Sequence, residues 1–218
     1  MKSFIKRLLI LTPLLWPMGA SAGVILSAES VANNTLGVFS SIPANSVDFL
    51  SDGSGLPAFV SGTTDFATYI SGNPSHAGFD FSNAWASADN VVIGVIDFFL
   101  GSQYSIEQLA FWSQANAGQA INSFAIFTSV DSSFAAATAV GAFNGVQSSQ
   151  AAQVFDLTDS IGSYVRLQVI SNYGSGLTTT LGEIAFDVNS SSHVPTPGIL
   201  ALFSLGLAGL GWSRRGKA

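Results

Sequence analysis

Between Gly23 and Val188 apolar and polar positions alternate with a period of two in one short segment after another. In INSFAIFTSV, Phe124, Ile126 and Thr128 share a face, and in AQVFDLT, Phe155 and Leu157 point one way while Asp156 points the other. In SYVRLQVIS, Val165, Leu167 and Val169 oppose Tyr164, Arg166 and Gln168. In GEIAFDV, Ile184, Phe186 and Val188 turn inward, and Glu183, Ala185 and Asp187 turn outward. This periodicity marks half-buried strands, and the Gly, Asn, Asp and Ser clusters between them mark turns. No amphipathic helix separates the segments; SSFAAATAVGAFNG reads as loop plus strand. Closely spaced strands without crossover helices pack as an antiparallel sandwich or jelly roll, not as a parallel α/β sheet. The expectation is one all-β domain, residues 23–188, folded as an antiparallel jelly-roll β-sandwich.

The two ends break the pattern. MKSFIKRLLILTPLLWPMGASAG places Lys2, Lys6 and Arg7 before an apolar stretch from Leu8 to Trp16, then the small-x-small sequence Ala20-Ser21-Ala22. That order predicts a signal peptide over residues 1–22, cut by signal peptidase between Ala22 and Gly23. Pro13 and Pro17 interrupt the apolar part, which falls short of the ~20 residues that a membrane span needs. At the other end a linker, residues 189–197, precedes an apolar helix over 198–213 and a basic tail over 214–218.

Charge narrows the function classes. All thirteen acidic residues lie between Glu29 and Asp187, and the only Lys or Arg from Gly23 to His193 is Arg166, so this body carries a formal charge of −12. Such a body cannot neutralise a run of phosphates, which excludes nucleic acid as a partner. Its carboxylates suit a hard, oxygen-seeking cation such as calcium, or simply keep an exported protein soluble. The chain has no cysteine and two histidines, His76 and His193, so thiol chemistry, disulfides and His-rich metal centres are excluded. Arg166, as the one base of the body, is expected to pair with a carboxylate.

Five segments in order carry a resemblance: IDFFLG, YSIEQLAFW, FAIFTSVDSSF, YVRLQV and GEIAF. Together they resemble the coagulation factor 5/8 type C, or discoidin-like, domains of the galactose-binding-like fold, over roughly residues 60–188. Trp112, Phe98, Phe124 and Phe127 read as framework, since large aromatic groups on alternating strands usually fill a core. The resemblance implies a binding module. In related bacterial domains, including family 32 carbohydrate-binding modules, a structural calcium ion lies between an early loop and a glutamate of the last strand. Glu183 matches that glutamate, and Asp65 and Asp80 are acids of the early stretch. Sugar-binding members use end loops, where Tyr69, His76, Phe79, Phe81 and Tyr173 stand in this chain.

Enzyme signatures are absent from the sequence: there is no G-x-S-x-G, P-loop or H-E-x-x-H, although ten aspartates leave paired-carboxylate hydrolysis of glycans open. The ending VPTPGILALFSLGLAGLGWSRRGKA resembles the PEP-CTERM sorting signal, which an exosortase recognises and removes. Its parts here are Val194, Pro195, Thr196 and Pro197, an apolar run, and Arg214 with Arg215; Thr196 stands where the family most often has glutamate. Two prolines keep the motif extended. Gly198 to Trp212 would make about 22 Å of helix, short for a bilayer core of about 30 Å. The terminal bases stay cytoplasmic. The expectation is an exported protein, tethered transiently in the inner membrane and then placed at the cell surface or outside it. It would bind glycan or exopolysaccharide without catalysis. The alternatives are a structural biofilm-matrix protein and a glycan hydrolase.

Overall fold

A computed structural model describes residues 23–190, apart from 42, 59–60, 79, 81, 114–117 and 148. The signal peptide, residues 1–22, and the segment from 191 to 218 with its sorting motif lie outside the described residues.

Nine strands are described: β1 (Val24–Leu26), β2 (Ser30–Asn34), β3 (Trp85–Ala86), β4 (Gly94–Trp112), β5 (Ile121–Ser129), β6 (Thr138–Asn144), β7 (Gln153–Asn172), β8 (Thr180–Leu181) and β9 (Glu183–Ser190). A short 3-10 helix, Ala44–Leu50, and one α-helix, α1 (Phe66–Ser71), complete the regular structure. The strands pair in the order β1-β9-β4-β7-β5-β6, with β2 also on β4, and β3 and β8 form a separate ribbon. All pairings between named strands are antiparallel.

One hydrogen-bonded ladder becomes two layers because β4 and β7 bend together. Their register runs from Gly94↔Val169 to Phe99↔Tyr164, breaks, and resumes from Tyr104↔Gly162 to Phe111↔Gln153. Gly101, at φ +82, occupies the bend in a conformation that favours glycine. Ring contacts show that the ladder closes on itself. Phe124 of β5 pairs with Val169, which pairs with Gly94, yet its ring lies 5.2 Å from that of Phe111 at the far end of β4. In a flat ladder positions 94 and 111 of one strand would stand about 55 Å apart. The first sheet therefore comprises β2, the first half of β4, the second half of β7, β5 and β6. The second comprises β1, β9, the second half of β4 and the first half of β7. The all-β jelly-roll sandwich expected from the alternation is the observed fold. β9 ends at Ser190, which pairs with Tyr104 at the bend.

Phe98, Phe111, Phe124, Ile126, Val165, Leu167, Ile184, Phe186 and Val188 fill the space between the sheets. Phe127, expected in the core, is only partly buried. The alternation of GEIAFDV holds, but its outward face does not meet water. Ala185, Ala110, Trp112 and Ile25 form a second apolar cluster with Phe66 of α1, against which Leu56, Tyr69 and Ile70 pack. Glu183 is fully buried and Asp187 nearly so in consequence.

Arg166 does pair with a carboxylate. Its Nε and Nη2 donate to the two oxygens of Asp97 at 2.6 and 2.9 Å, Asn33 adds a third donor to Asp97, and the guanidinium lies 4.1 Å from the centre of the Phe134 ring.

Candidate functional site

Glu183 opens β9 opposite Trp112. The turn that covers it is Asp52-Gly53-Ser54-Gly55. Asp52 starts this turn by accepting the Ser54 amide at 2.7 Å, a local bond that competes with regular structure. Gly53 and Gly55 have φ of 76 and 84, and a Cβ on Gly55 would meet His76 Nε2 at 2.6 Å, so both conformation and space require glycine there. The Gly53 amide donates to Glu183 Oε1 at 3.1 Å. His76 Nδ1 lies 2.6 Å from the Ala77 carbonyl, and the Ala77 amide donates to the Gly55 carbonyl at 2.8 Å. Trp112 Nε1 donates to the Pro74 carbonyl at 3.0 Å, and the Tyr69 hydroxyl to the Pro57 carbonyl at 3.1 Å.

Three buried polar atoms around this turn, Glu183 Oε2, His76 Nε2 and Ser54 Oγ, have no hydrogen-bond partner among the described residues. Native proteins satisfy nearly all such atoms, often with water or an ion. Burial is the main cause that pushes the Glu183 carboxyl up to about 9; the Asp52 charge adds to it, and the Gly53 amide opposes it. Burial, and then the charge of Glu183, raise the Tyr69 phenol to about 12.

The donor set fits calcium in one respect: Glu183 offers a buried carboxylate oxygen with nothing else to bind it, and oxygen is what calcium takes. Among the described residues no three His, Cys, Asp or Glu side chains gather in metal-binding fashion, so backbone carbonyls and water would complete the shell. The acid that faces Glu183 is Asp52. Asp65 caps α1, accepting the Thr68 amide at 2.7 Å, and Thr68's hydrogen bonds hold its carboxyl below the usual range. It bridges Val24 near the other end of β9, where its charge acts on Asp187. The structure thus brings Glu183 and Asp65 to different places.

Beside Asp52 an open cleft of about 430 Å³ is lined by Ser27, Ser51, Ser61, Glu29, Leu26 and Leu100, among others. Its lining combines serines and carboxylates with apolar side chains, which suits a ligand rich in hydroxyl groups. The loop aromatics are less available. Tyr69 meets the Trp112 ring edge-on with centroids 6.4 Å apart, and the Tyr173 hydroxyl donates to the Gly145 carbonyl at 2.6 Å. Phe79 and Phe81 lie outside the described residues, as do Val194, Pro195, Thr196, Pro197, Arg214 and Arg215.

Sequence reasoning missed Asp52 and Ser54, and took His76 only as a loop residue of a sugar site. The signal was the Asp-Gly pair at 52 and 53, a turn former spaced two residues from a second glycine.

The raised Glu183 carboxyl sets a pH dependence. In cation-free protein the folded state keeps a proton on Glu183 up to about pH 9, whereas the unfolded chain releases it near its ordinary value of about 4.3. The folded state binds more protons in that window, so stability is full below it and falls as pH rises through it. The melting temperature of chelator-treated protein should therefore fall between pH 5 and 9. Added calcium should flatten the fall by favouring the carboxylate, and Glu183→Gln should remove most of the slope and all of the calcium response. Identical melting curves with and without chelator would count against the cation.

Residues 193–215 match the PEP-CTERM protein-sorting motif, so the chain carries an export signal with a transiently membrane-anchored tail. Among solved structures, one similar domain is a family 32 carbohydrate-binding module of a family 31 glycoside hydrolase from Clostridium perfringens. It has 17% identity and a TM-score of 0.42 over 49% of this chain and 75% of that one. A putative chitobiase fragment from Bacteroides thetaiotaomicron gives 15% identity and a TM-score of 0.44 over 50% and 71%. A further C. perfringens module, in complex with GalNAc-beta-1,3-galactose, gives 15% and 0.40 over 48% and 74%. No curated protein matches the sequence. A family model described as Sad1 / UNC-like C-terminal matches residues 71–186, from the last residue of α1 into β9 and across more than half of the chain. The chain belongs to the Sad1 / UNC-like C-terminal family.

Proposed function

We propose that this chain is an exosortase-sorted protein of the cell surface or extracellular matrix that binds glycan or exopolysaccharide without chemical turnover. The observation that carries the reading is the cleft beside Asp52, lined by Ser27, Ser51, Ser61, Glu29 and Asp52 together with Leu26 and Leu100. Serine hydroxyls and carboxylates exchange hydrogen bonds with sugar hydroxyls, and the apolar carbons lie under the ring. Two carboxylates favour a neutral or amine-bearing sugar over an anionic one. A calcium ion on Glu183 would hold the 52–55 turn, one wall of the cleft, in place; its contribution is to fold and not to reaction.

Export supplies the setting. Signal peptidase releases the chain at Gly23, the apolar tail holds it in the inner membrane for a time, and an exosortase-type protease then frees it. A structural biofilm-matrix role is the second reading.

The test is a screen of the exported protein against polysaccharides with product release monitored. Binding without products, weakened at least tenfold by Glu29→Gln with Asp52→Asn, is the expected result. Products would make it a hydrolase using the same two carboxylates. No binding to any glycan would leave the matrix role. Intact mass of the protein from its host should show the loss of Trp212 and the terminal bases.

A further inference from the structure

Gly23, the first described residue, lies against a carboxylate oxygen that has no hydrogen-bond partner among the described residues. Its neighbour Val24 pairs with Val188 of β9 on one side and bridges Asp65 on the other, and the Gly23 carbonyl accepts the Phe66 amide at 3.0 Å. These anchors press the Gly23 Cα onto Asp187. A Cβ at position 23 would fall inside the Asp187 carboxylate, so any other residue would have to push that side chain aside. Asp187 is 8% exposed, and its Oδ1 is buried without a hydrogen-bond partner among the described residues.

The charges nearby have the wrong sign to help. Burial, and then the charges of Glu107 and Asp65, push the Asp187 carboxyl up to about 6. The side-chain amide of Asn189 donates to Glu107, and Arg166, the only Lys or Arg between positions 23 and 193, is committed to Asp97. Native folds rarely leave such an acceptor unmet.

A donor stands one bond away from the same Cα. The Ala22–Gly23 peptide bond follows Ala20-Ser21-Ala22, the small-x-small sequence of a signal-peptidase site. Hydrolysis adds water across that bond, leaving a carboxylate on Ala22 and an α-amine on Gly23. At neutral pH the amine takes up a proton and becomes an ammonium. Bond geometry puts its nitrogen within about 4 Å of Asp187 Oδ1. In the uncut chain the nitrogen is an amide with a single N–H in a fixed direction, and it makes no bond to Oδ1. The ammonium carries three N–H groups that rotate about the Cα–N bond.

We propose that cleavage after Ala22 makes the Gly23 α-ammonium the counter-ion of Asp187, so that the export cut locks β1 onto β9 and completes the fold. The inference rests on the signal-peptide reading and extends it: the cut removes an address and also supplies a structural cation where the chain has no other. The precursor keeps a loosened first strand until it is processed.

The experiment uses chain 23–218 in detergent, fused behind a tag whose protease leaves glycine as the first residue, so one preparation gives both states. Cutting should raise the melting temperature by about 5 °C, the scale of a charge-assisted pair in a domain of this size. Asp187→Asn should leave the uncut fusion as stable or more so, yet destabilise the cut chain; that reversal of sign is specific to the pair. Acetylating Gly23 should restore the uncut behaviour. An unmoved midpoint on cutting, or one sign for Asp187→Asn in both states, overturns the ion pair. Amino-terminal sequencing of the exported protein tests the cleavage separately: a first residue other than Gly23 overturns the processing step whatever the midpoints show.

Discussion

Phe124→Ala should lower the unfolding free energy by about 3–5 kcal/mol, the range for deleting a buried aromatic ring. Phe124 is fully buried, and its ring touches three others: Phe111 at 5.2 Å, Phe143 at 5.6 Å and Phe155 at 5.0 Å, the last perpendicular to it. Two of those partners, Phe111 and Phe155, belong to the opposite sheet. The ring is thus a principal contact across the fold made by the bend of β4 and β7. A domain has only ~5–15 kcal/mol in hand, so the midpoint should drop by about 10 °C. Phe99→Ala is the control, because Phe99 is only partly buried and rests on Tyr164 at 5.0 Å. Chemical denaturation decides between them. A loss below about 1.5 kcal/mol for Phe124→Ala would mean that the sheets do not meet at this ring.

The Asp97–Arg166 pair should respond unequally to removal of its two halves. Asp97 is 3% exposed at its side chain and the Arg166 side chain 27%. Arg166→Met strands a buried carboxylate whose remaining side-chain donor is Asn33, at a cost of about 3–5 kcal/mol. Asp97→Ala leaves a guanidinium that can turn toward water while keeping the Phe134 face, and should cost about half as much. Replacing both residues with apolar ones of similar size, Asp97→Leu with Arg166→Met, should recover most of the loss. Equal single losses that simply add in the double variant would show that the two side chains do not act as a pair.

The strands and their buried faces were legible in the sequence because period two is a local property. Val165, Leu167 and Val169 are buried as the alternation required, and so are Phe124, Ile126 and Thr128. Two kinds of feature were not legible. Periodicity does not tell that segments separated by a glycine form one bent strand: AQVFDLT and SYVRLQVIS are both parts of β7, joined at Gly162. Nor does it tell which outward faces are covered. The outward face of GEIAFDV is roofed by α1, a helix of six residues whose only local mark is its Asp65 cap. With the 52–55 turn over Glu183 and Gly23 over Asp187, that roof buries both carboxylates and so gives them their chemistry. Glu183 was found because its motif resembles a known one. Its neighbours Asp52 and His76 are distant in sequence and meet only through the fold.

The place of β9 also governs when the domain can form. β1 is the first strand of the body and β9 the last, yet among the named strands β1 has no partner but β9, which sits between β1 and β4. A chain that emerges from a secretion channel amino end first cannot seat β1 until residues up to Val188 have cleared the channel. Contacts so far apart along the chain make closure slow. The apolar tail follows within a few residues of that strand. Its arrest in the membrane is therefore the first moment at which the whole sandwich lies outside, and the pause that presents the sorting motif also gives the domain time to close.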